Sequence, residues 1–277
     1  MTAFVVFNPN SGGGRTGRDW RGIEDALEKI FPRMSFFVTT APAQAAAVVR
    51  DALRDGHTDI VAVGGDGTIH EALNGFFDHG VALAPDAVFS FVHSGHDSAL
   101  CRRFDIAPGW QAGVAQLAHA RIHKHSIGRL SCLSEKGEAV TRFFLGSASL
   151  GLSARVARAV GRARIAPLLG HGFASRLHRI VARLGWRATR LRLMADGYDE
   201  IAGIASVSLS SANGLFDMQI LDGLNRAEKA RALRTARLTA APTLDTRGAV
   251  EVETDGEFAG VLPATFEIYP VAINLRV

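Results

Sequence analysis

The stretch 59–75, DIVAVGGDGTIHEALNG, constrains this chain more than any other part of it. Residues 60–63 form a short apolar, β-branched run with the composition of a buried parallel strand. Gly64, Gly65 and Gly67 follow within four residues, with Asp66 between them, and Thr68 comes next. Ile69, Ala72, Leu73 and Phe76 then recur at helical spacing. The pattern is a strand, a glycine turn and a helix N-terminus. Glycine lets the backbone take positive φ and lets a ligand approach with no Cβ in the way. The first amides of a helix lack intrahelical acceptors and, with the helix dipole, favour an anion. An oligophosphate suits such a turn. Asp66 would repel it, so this carboxylate is expected to handle a metal ion or a hydroxyl. The spacing matches neither G-x-x-x-x-G-K-[ST] nor G-x-G-x-x-G.

The surrounding sequence repeats the theme. Residues 4–7 read as a first strand that runs into Asn8-Pro9-Asn10-Ser11-Gly12-Gly13-Gly14, a second loop with amides suited to phosphate. Arg15 and Arg18 face either phosphate or solvent. Residues 20–31 have an amphipathic helical pattern, with Ile23, Ala26, Leu27 and Ile30 on one face. A strand at 36–39 leads through Thr39 and Thr40, candidate caps, to a helix at 43–53. A further buried strand at 88–92 ends in His93-Ser94-Gly95-His96-Asp97-Ser98-Ala99. Strands alternating with helices predict a doubly wound parallel sheet, with its ligand at the carboxyl ends of the strands.

GGDGT followed by x-x-E-x-x-N-G resembles the signature of the diacylglycerol kinase catalytic-domain family, which includes diacylglycerol and sphingosine kinases and lies in a superfamily with NAD kinases. Gly64, Gly65, Asp66, Gly67, Thr68, Glu71, Asn74 and Gly75 stand on that motif, and His70 stands where the family usually has Asn. The opening loop is similar to the family's N-P-x-S-G-x-G. The resemblance therefore implies nucleotide contacts at Asn8, Ser11, Gly12 and Gly13, at Thr39 or Thr40, along 64–68, at His70 and Glu71, and at Ser94. The family's P-x-G-T-x-N-D-x-A is altered here: Phe91 replaces Pro, His93 Gly, Ser94 Thr and His96 Asn, while Asp97 and Ala99 remain. His93 narrows the pocket relative to glycine. His96 either carries a proton or substitutes for an amide hydrogen bond.

At 277 residues the chain has room for two domains. The expected boundary divides 1–122, the nucleotide-binding α/β domain, from 123–277. Strands are expected at 124–130, 141–145, 191–195, 204–210, 250–253, 265–269 and 272–276. The stretch 143–156 resembles the family's entry into a β-sandwich second domain that carries the lipid-facing cleft. Asp222-Gly223-Leu224 resembles the family's D-G-x-L, which implies a structural or regulatory magnesium at Asp222 and Leu224. The stretch 215–221 reads as a shortened loop before it, without the family's glycine triplet. Thr254-Asp255-Gly256-Glu257 resembles the family's D-G-E, which returns a carboxylate to the interdomain cleft. Asp-Gly is also the commonest hairpin turn.

Charge adds one more expectation. Net charge is +4, yet ten Arg and no acid lie between Arg155 and Arg192, eight of the ten within an expected helical insertion at 152–188. On a helix, Arg176, Arg179, Arg183 and Arg187 fall on one face and Leu177, Ile180, Val181 and Leu184 on another. Such a face suits an anionic membrane surface, where each basic residue contributes about 1 kcal/mol. No aromatic-interleaved basic motif points to nucleic acid. Two cysteines are too few for a disulfide framework, and neither a signal peptide nor a spanning segment is visible. The expected place is cytoplasmic, peripherally on a membrane, with a homodimer left open.

Together the residues describe phosphoryl transfer to a hydroxyl. The resemblance implies ATP and Mg2+ as cofactors and a lipid, such as diacylglycerol or a long-chain base, as acceptor. Asp66, Asp97, Asp255 and Glu257 are the expected catalytic carboxylates, with Glu257 or Asp255 as the base. A degraded kinase that binds without turnover and an NAD kinase are the alternatives.

Overall fold

The computed structural model describes residues 2–95, 98–152, 154, 188–212, 214–222, 229–269 and 273–277. The chain separates into two compact units, Met1–His125 with Pro270–Val277, and Ser126–Tyr269. The first crossing falls three residues beyond the expected 122/123. The second is absent from the sequence reading, which kept 123–277 together.

The first unit runs β1 (Thr2–Phe7), α1 (Ser11–Ile30), β2 (Arg33–Val38), α2 (Gln44–Arg54), β3 (Asp59–Gly64) and α3 (Asp66–Asn74). A small hairpin, β4 (Phe77–Asp78) and β5 (Val81–Ala82), precedes β6 (Val88–His93), α4 (Ala99–Arg103), α5 (Trp110–His119) and β7 (Ile122–His125). The sheet order is β2-β1-β3-β6, continued by the C-terminal strand Ile273–Arg276 (β18) and then β7. Pairing is parallel from β2 through β18 and antiparallel only between β18 and β7. Every residue of β3 and β6 is buried, as central strands covered on both faces require. Ile23, Leu27 and Phe31 pack with Val5, Val61, Val63 and Val92 in one core. Each such side chain contributes about 1.5–3 kcal/mol. Arg276 fixes the returning strand: its Nη2 donates to Asp59 Oδ1 at 2.6 Å, both side chains buried.

The second unit is antiparallel and strand-rich: β8 (Gly128–Leu133), β9 (Ala139–Phe144), β10 (Ser147–Gly151), β11 (Thr189–Ala195), β12 (Tyr198–Ala212) and β13 (Leu215–Asp222). It continues through β14 (Lys229–Thr235), β15 (Arg237–Pro242), β16 (Glu251–Thr254) and β17 (Glu257–Ile268). The path β10-β16-β17-β15-β11-β12 closes on itself because β10 also pairs with β12. Phe144, Phe216, Phe266 and Leu193 fill its interior.

Two expectations are corrected here. The stretch 124–130 is not one strand: it breaks at Ser126 and Ile127, with β7 paired to β18 and β8 paired to β9 and β17. The stretch 215–221 is not a loop but β13, in register with β12 from Ala212↔Leu215 onward. Its alternation of Phe216, Met218 and Ile220 into the core makes it a strand.

Candidate active site

In an open parallel sheet a ligand crevice forms where the strand order reverses. Here β1 lies between β2 and β3, so connections leave it in opposite directions. The two glycine loops follow β1 and β3, which are neighbours, and the loop after β6 lies beside them. The Asn8 amide donates to Val63 O at 3.1 Å and the Ser94 amide to Gly64 O at 2.9 Å, stitching the three strand ends together.

Side chains tie these loops to one another. Asn8 Nδ2 donates to Thr68 Oγ1 at 3.2 Å, and Ser11 Oγ lies 3.4 Å from the same hydroxyl. Thr16, fully buried, donates to Ser94 Oγ at 2.5 Å. The sequence reading passed over Thr16, which looks like one polar residue in a surface helix. Gly12, Gly13 and Gly14 have φ of 61°, 70° and 81°, a left-handed turn that L-residues resist, so α1 becomes regular only after them. At Gly64 a Cβ would fall 2.7 Å from that of Thr68, so the turn closes only on glycine. The result is a cradle of backbone amides and hydroxyls, suited to phosphate oxygens.

Asp66 opens α3 beside this cradle. Its Oδ1 accepts a short hydrogen bond from Ser98 Oγ, whose oxygen also caps α4 by accepting from the Cys101 amide at 3.1 Å. His93 Nε2 lies 3.5 Å from the same Oδ1. Burial holds the His93 imidazole below its ordinary pKa, against the opposing pull of the Asp66 carboxylate. Asp97 and His96 lie outside the described residues.

Other predicted positions have structural partners. Thr39 donates through amide and hydroxyl to Phe7 O, at 2.9 and 3.3 Å. Thr40 donates its amide to Gln44 Oε1 at 2.7 Å. Neither threonine caps α2; its N-cap is Ala43, whose amide donates to Glu71 Oε1 at 3.0 Å. Glu71 thus joins α3 to the start of α2. His70 is buried, its carbonyl accepting from Asn74 Nδ2 at 2.8 Å.

In the second unit, Asp255 and Gly256 both have positive φ, 49° and 86°, between β16 and β17: the tight Asp-Gly hairpin. The Asp255 side chain is also buried and accepts from three amides, Leu145 at 2.8 Å on Oδ2, Gly146 at 2.8 Å and Ser147 at 3.0 Å on Oδ1. Glu257, at the start of β17, is exposed. Asp222 ends β13, and Leu224 lies outside the described residues, so the predicted magnesium pair is not traced.

Glu253 joins this group and escaped the sequence reading. It is buried in β16, paired with Ser149 of β10. Burial, then the neighbouring Asp255 and Glu257 carboxylates, push it up to about 8 from an ordinary 4.5, against bonds from Ser149 and the Gly256 amide. Below pH 4.5 both folded and unfolded chains hold the proton. As pH rises towards 8 the unfolded chain ionises first, and stability falls. Glu253→Gln should therefore raise the unfolding free energy by about 2 kcal/mol at pH 8 and by much less at pH 5. Urea titrations at both pH values measure it; an equal effect at both would refute the shifted carboxyl.

The arginine run 155–187 lies outside the described residues. The last two of the ten arginines, Arg190 and Arg192, follow it and are strand residues with acidic partners: Arg190 with Asp245 at 3.2 Å, and Arg192 with Asp199 at 2.7 Å. Among the described residues, no helix is long and apolar enough to cross a membrane.

Residues 2–130 match the diacylglycerol kinase catalytic domain. Over that stretch, just under half of the chain, the sequence is similar to this kinase domain. A candidate lipid kinase of Bacillus subtilis (strain 168), YtlR, is 25% identical over 157 residues, 55% of this chain. That match spans 48% of YtlR, about half its length. A crystal structure of a candidate diacylglycerol kinase from Bacillus anthracis (strain Sterne) superposes with a TM-score of 0.76 at 15% identity, covering 99% of this chain and 94% of that one. Yeast NADH kinase, complexed with NADH, gives 0.56 at 11% identity, covering 100% and 83%. At these identities the two structures speak to fold alone.

Proposed function

We propose that the protein is a lipid kinase that transfers the γ-phosphate of ATP to a lipid hydroxyl. One observation carries the reading: two glycine loops and Asp66 meet at the reversal point of a parallel sheet whose sequence matches a kinase domain. The hydroxyls of Ser11, Thr68 and Ser94 and the loop amides hold the phosphates. Magnesium carried on a nucleotide needs only one or two carboxylates beside the phosphate oxygens. Asp66, at the cradle, fits that need although no larger acidic or histidine cluster gathers among the described residues. Once bound, the ion offsets charge on the transferring group.

Glu257 is the proposed base for the acceptor hydroxyl, because it is exposed while Asp255 is committed to three amides of its own chain. A lipid acceptor is supported by the name of the YtlR relative and by the arginine-rich run. We place the protein in the cytoplasm, bound peripherally to anionic membranes through 155–187, with no nucleic-acid partner. The likeness to yeast NADH kinase keeps NAD as the second acceptor to test.

The deciding assay mixes protein, labelled ATP and magnesium with vesicles of total lipid extract, with NAD in a parallel tube. Label in the organic phase, and protein that floats with anionic but not neutral vesicles, is the expected result. Label on NAD would replace the lipid acceptor with the nucleotide. No label anywhere, with ATP still raising the melting temperature, would mean binding without turnover. Flotation indifferent to lipid charge would remove the membrane role from the arginines.

A further inference from the structure

His93 occupies an unusual place for a side chain of its size. It ends β6 at the carboxyl edge of the sheet, paired with Gly64, and is only 5% exposed. The Gly95 amide donates to Nδ1 at 3.1 Å. A nitrogen that accepts carries no proton, so in the neutral ring the hydrogen sits on Nε2. Nε2 is the atom 3.5 Å from Asp66 Oδ1. One face of the ring therefore holds the turn after β6, and the other presents a donor to the carboxylate at the start of α3. The turn is shaped around this ring: a Cβ at Gly95 would fall 2.6 Å from His93 Cε1.

With Nδ1 accepting from Gly95 and Nε2 carrying the hydrogen, the neutral ring has no lone pair free for a substrate proton. We infer that His93 is a positioning residue that works through Asp66, holding the carboxylate from the β6 side while Ser98 holds it from the α4 side. The inference rests on the reading of Asp66 as a site residue. Its content differs from steric narrowing of the pocket, which any ring of equal bulk would achieve. At 3.5 Å the contact is longer than a formed hydrogen bond, as donors around a catalytic carboxylate often are before ligand binds.

Two substitutions separate the possibilities. Glutamine in His93→Gln can accept from Gly95 with its carbonyl and donate to Asp66 with its amide. Phenylalanine in His93→Phe keeps the bulk and loses both contacts. Phosphoryl transfer by His93→Phe should fall roughly 10- to 100-fold in kcat with little change in KM for ATP, the loss expected of a misplaced catalytic group. His93→Gln should stay within about threefold of the native rate. Equal rates for the two variants would reduce His93 to a space-filling ring and overturn the inference.

A second measurement does not depend on turnover. Long-range 1H–15N spectra of histidine-labelled protein at pH 7, with His93 assigned by its disappearance in His93→Gln, should show the Nε2–H tautomer. Its Nε2–H signal should shift in Asp66→Ala. An Nδ1–H tautomer, or a signal unmoved by Asp66→Ala, overturns the inference. A native protein that transfers no phosphate would sink the kinase reading instead, and the spectra would still decide the role of His93.

Discussion

Asp255→Ala should destabilise the second unit by about 4 kcal/mol, although Asp255 sits in a two-residue turn where most substitutions matter little. Three backbone amides, at Leu145, Gly146 and Ser147, lose their acceptor at once. A buried donor left without a partner costs about 1–3 kcal/mol. Alanine is also poorly suited to the left-handed φ of 49° at this position, which adds about 1 kcal/mol. Relaxation and entering water recover part of the sum. The three amides lie where the chain passes from β9 to β10, the strand that closes the sheet between β12 and β16. The damage should therefore spread through the unit. Asp255→Asn keeps the left-handed preference and one acceptor oxygen, and should fall between native and alanine. Hydrogen exchange reads this directly: protection at 145–147 should collapse in Asp255→Ala while the β3 amides of the first unit stay slow. Native protection at 145–147 would deny Asp255 its structural task.

The order of elements in the first unit was legible because its signals are local. A buried β-branched run, a glycine turn and a helix start lie consecutively in 60–76, and the structure builds β3, the turn and α3 from them in that order. The loop after β1 was legible for the same reason. Long-range choices were not. Nothing in Ile273–Arg276 says that it returns to the first sheet, because the partners that draw it there, Asp59 and β6, are some two hundred residues away. Glu253 was missed because Val252-Glu253 looks like ordinary in–out alternation on a half-exposed strand. Only the fold shows that its outward face is buried. The Asp-Gly pair admitted two readings, hairpin or functional carboxylate. The hairpin is present, and Asp255 uses its carboxylate to hold it against 145–147. The departure at His93 was visible, but its meaning depends on Asp66 and Gly95, which the sequence does not place around it.

Asp66→Asn should give the opposite profile to Asp255→Ala: large loss of turnover with little loss of stability. An acidic residue in the first turn of a helix contributes about 0.3–1 kcal/mol through the dipole. Asparagine is nearly isosteric and can still accept from Ser98 Oγ, so the melting temperature should move by only a few degrees. Turnover should fall roughly 100- to 10,000-fold, the range for removing a charged group that acts in the transition state, or about 3–5 kcal/mol. The gap between the two energies is the informative quantity. A purely structural residue loses activity only as far as it loses fold, whereas here the activity loss should exceed the stability loss several times over. Rates should be measured at saturating ATP, because weakened nucleotide binding alone would be overcome there and kcat would recover. A variant that melts and turns over like native protein would take the carboxylate out of the reaction. The glycine cradle would then remain a phosphate site with its chemistry assigned elsewhere, and Glu257 would be the carboxylate to test next.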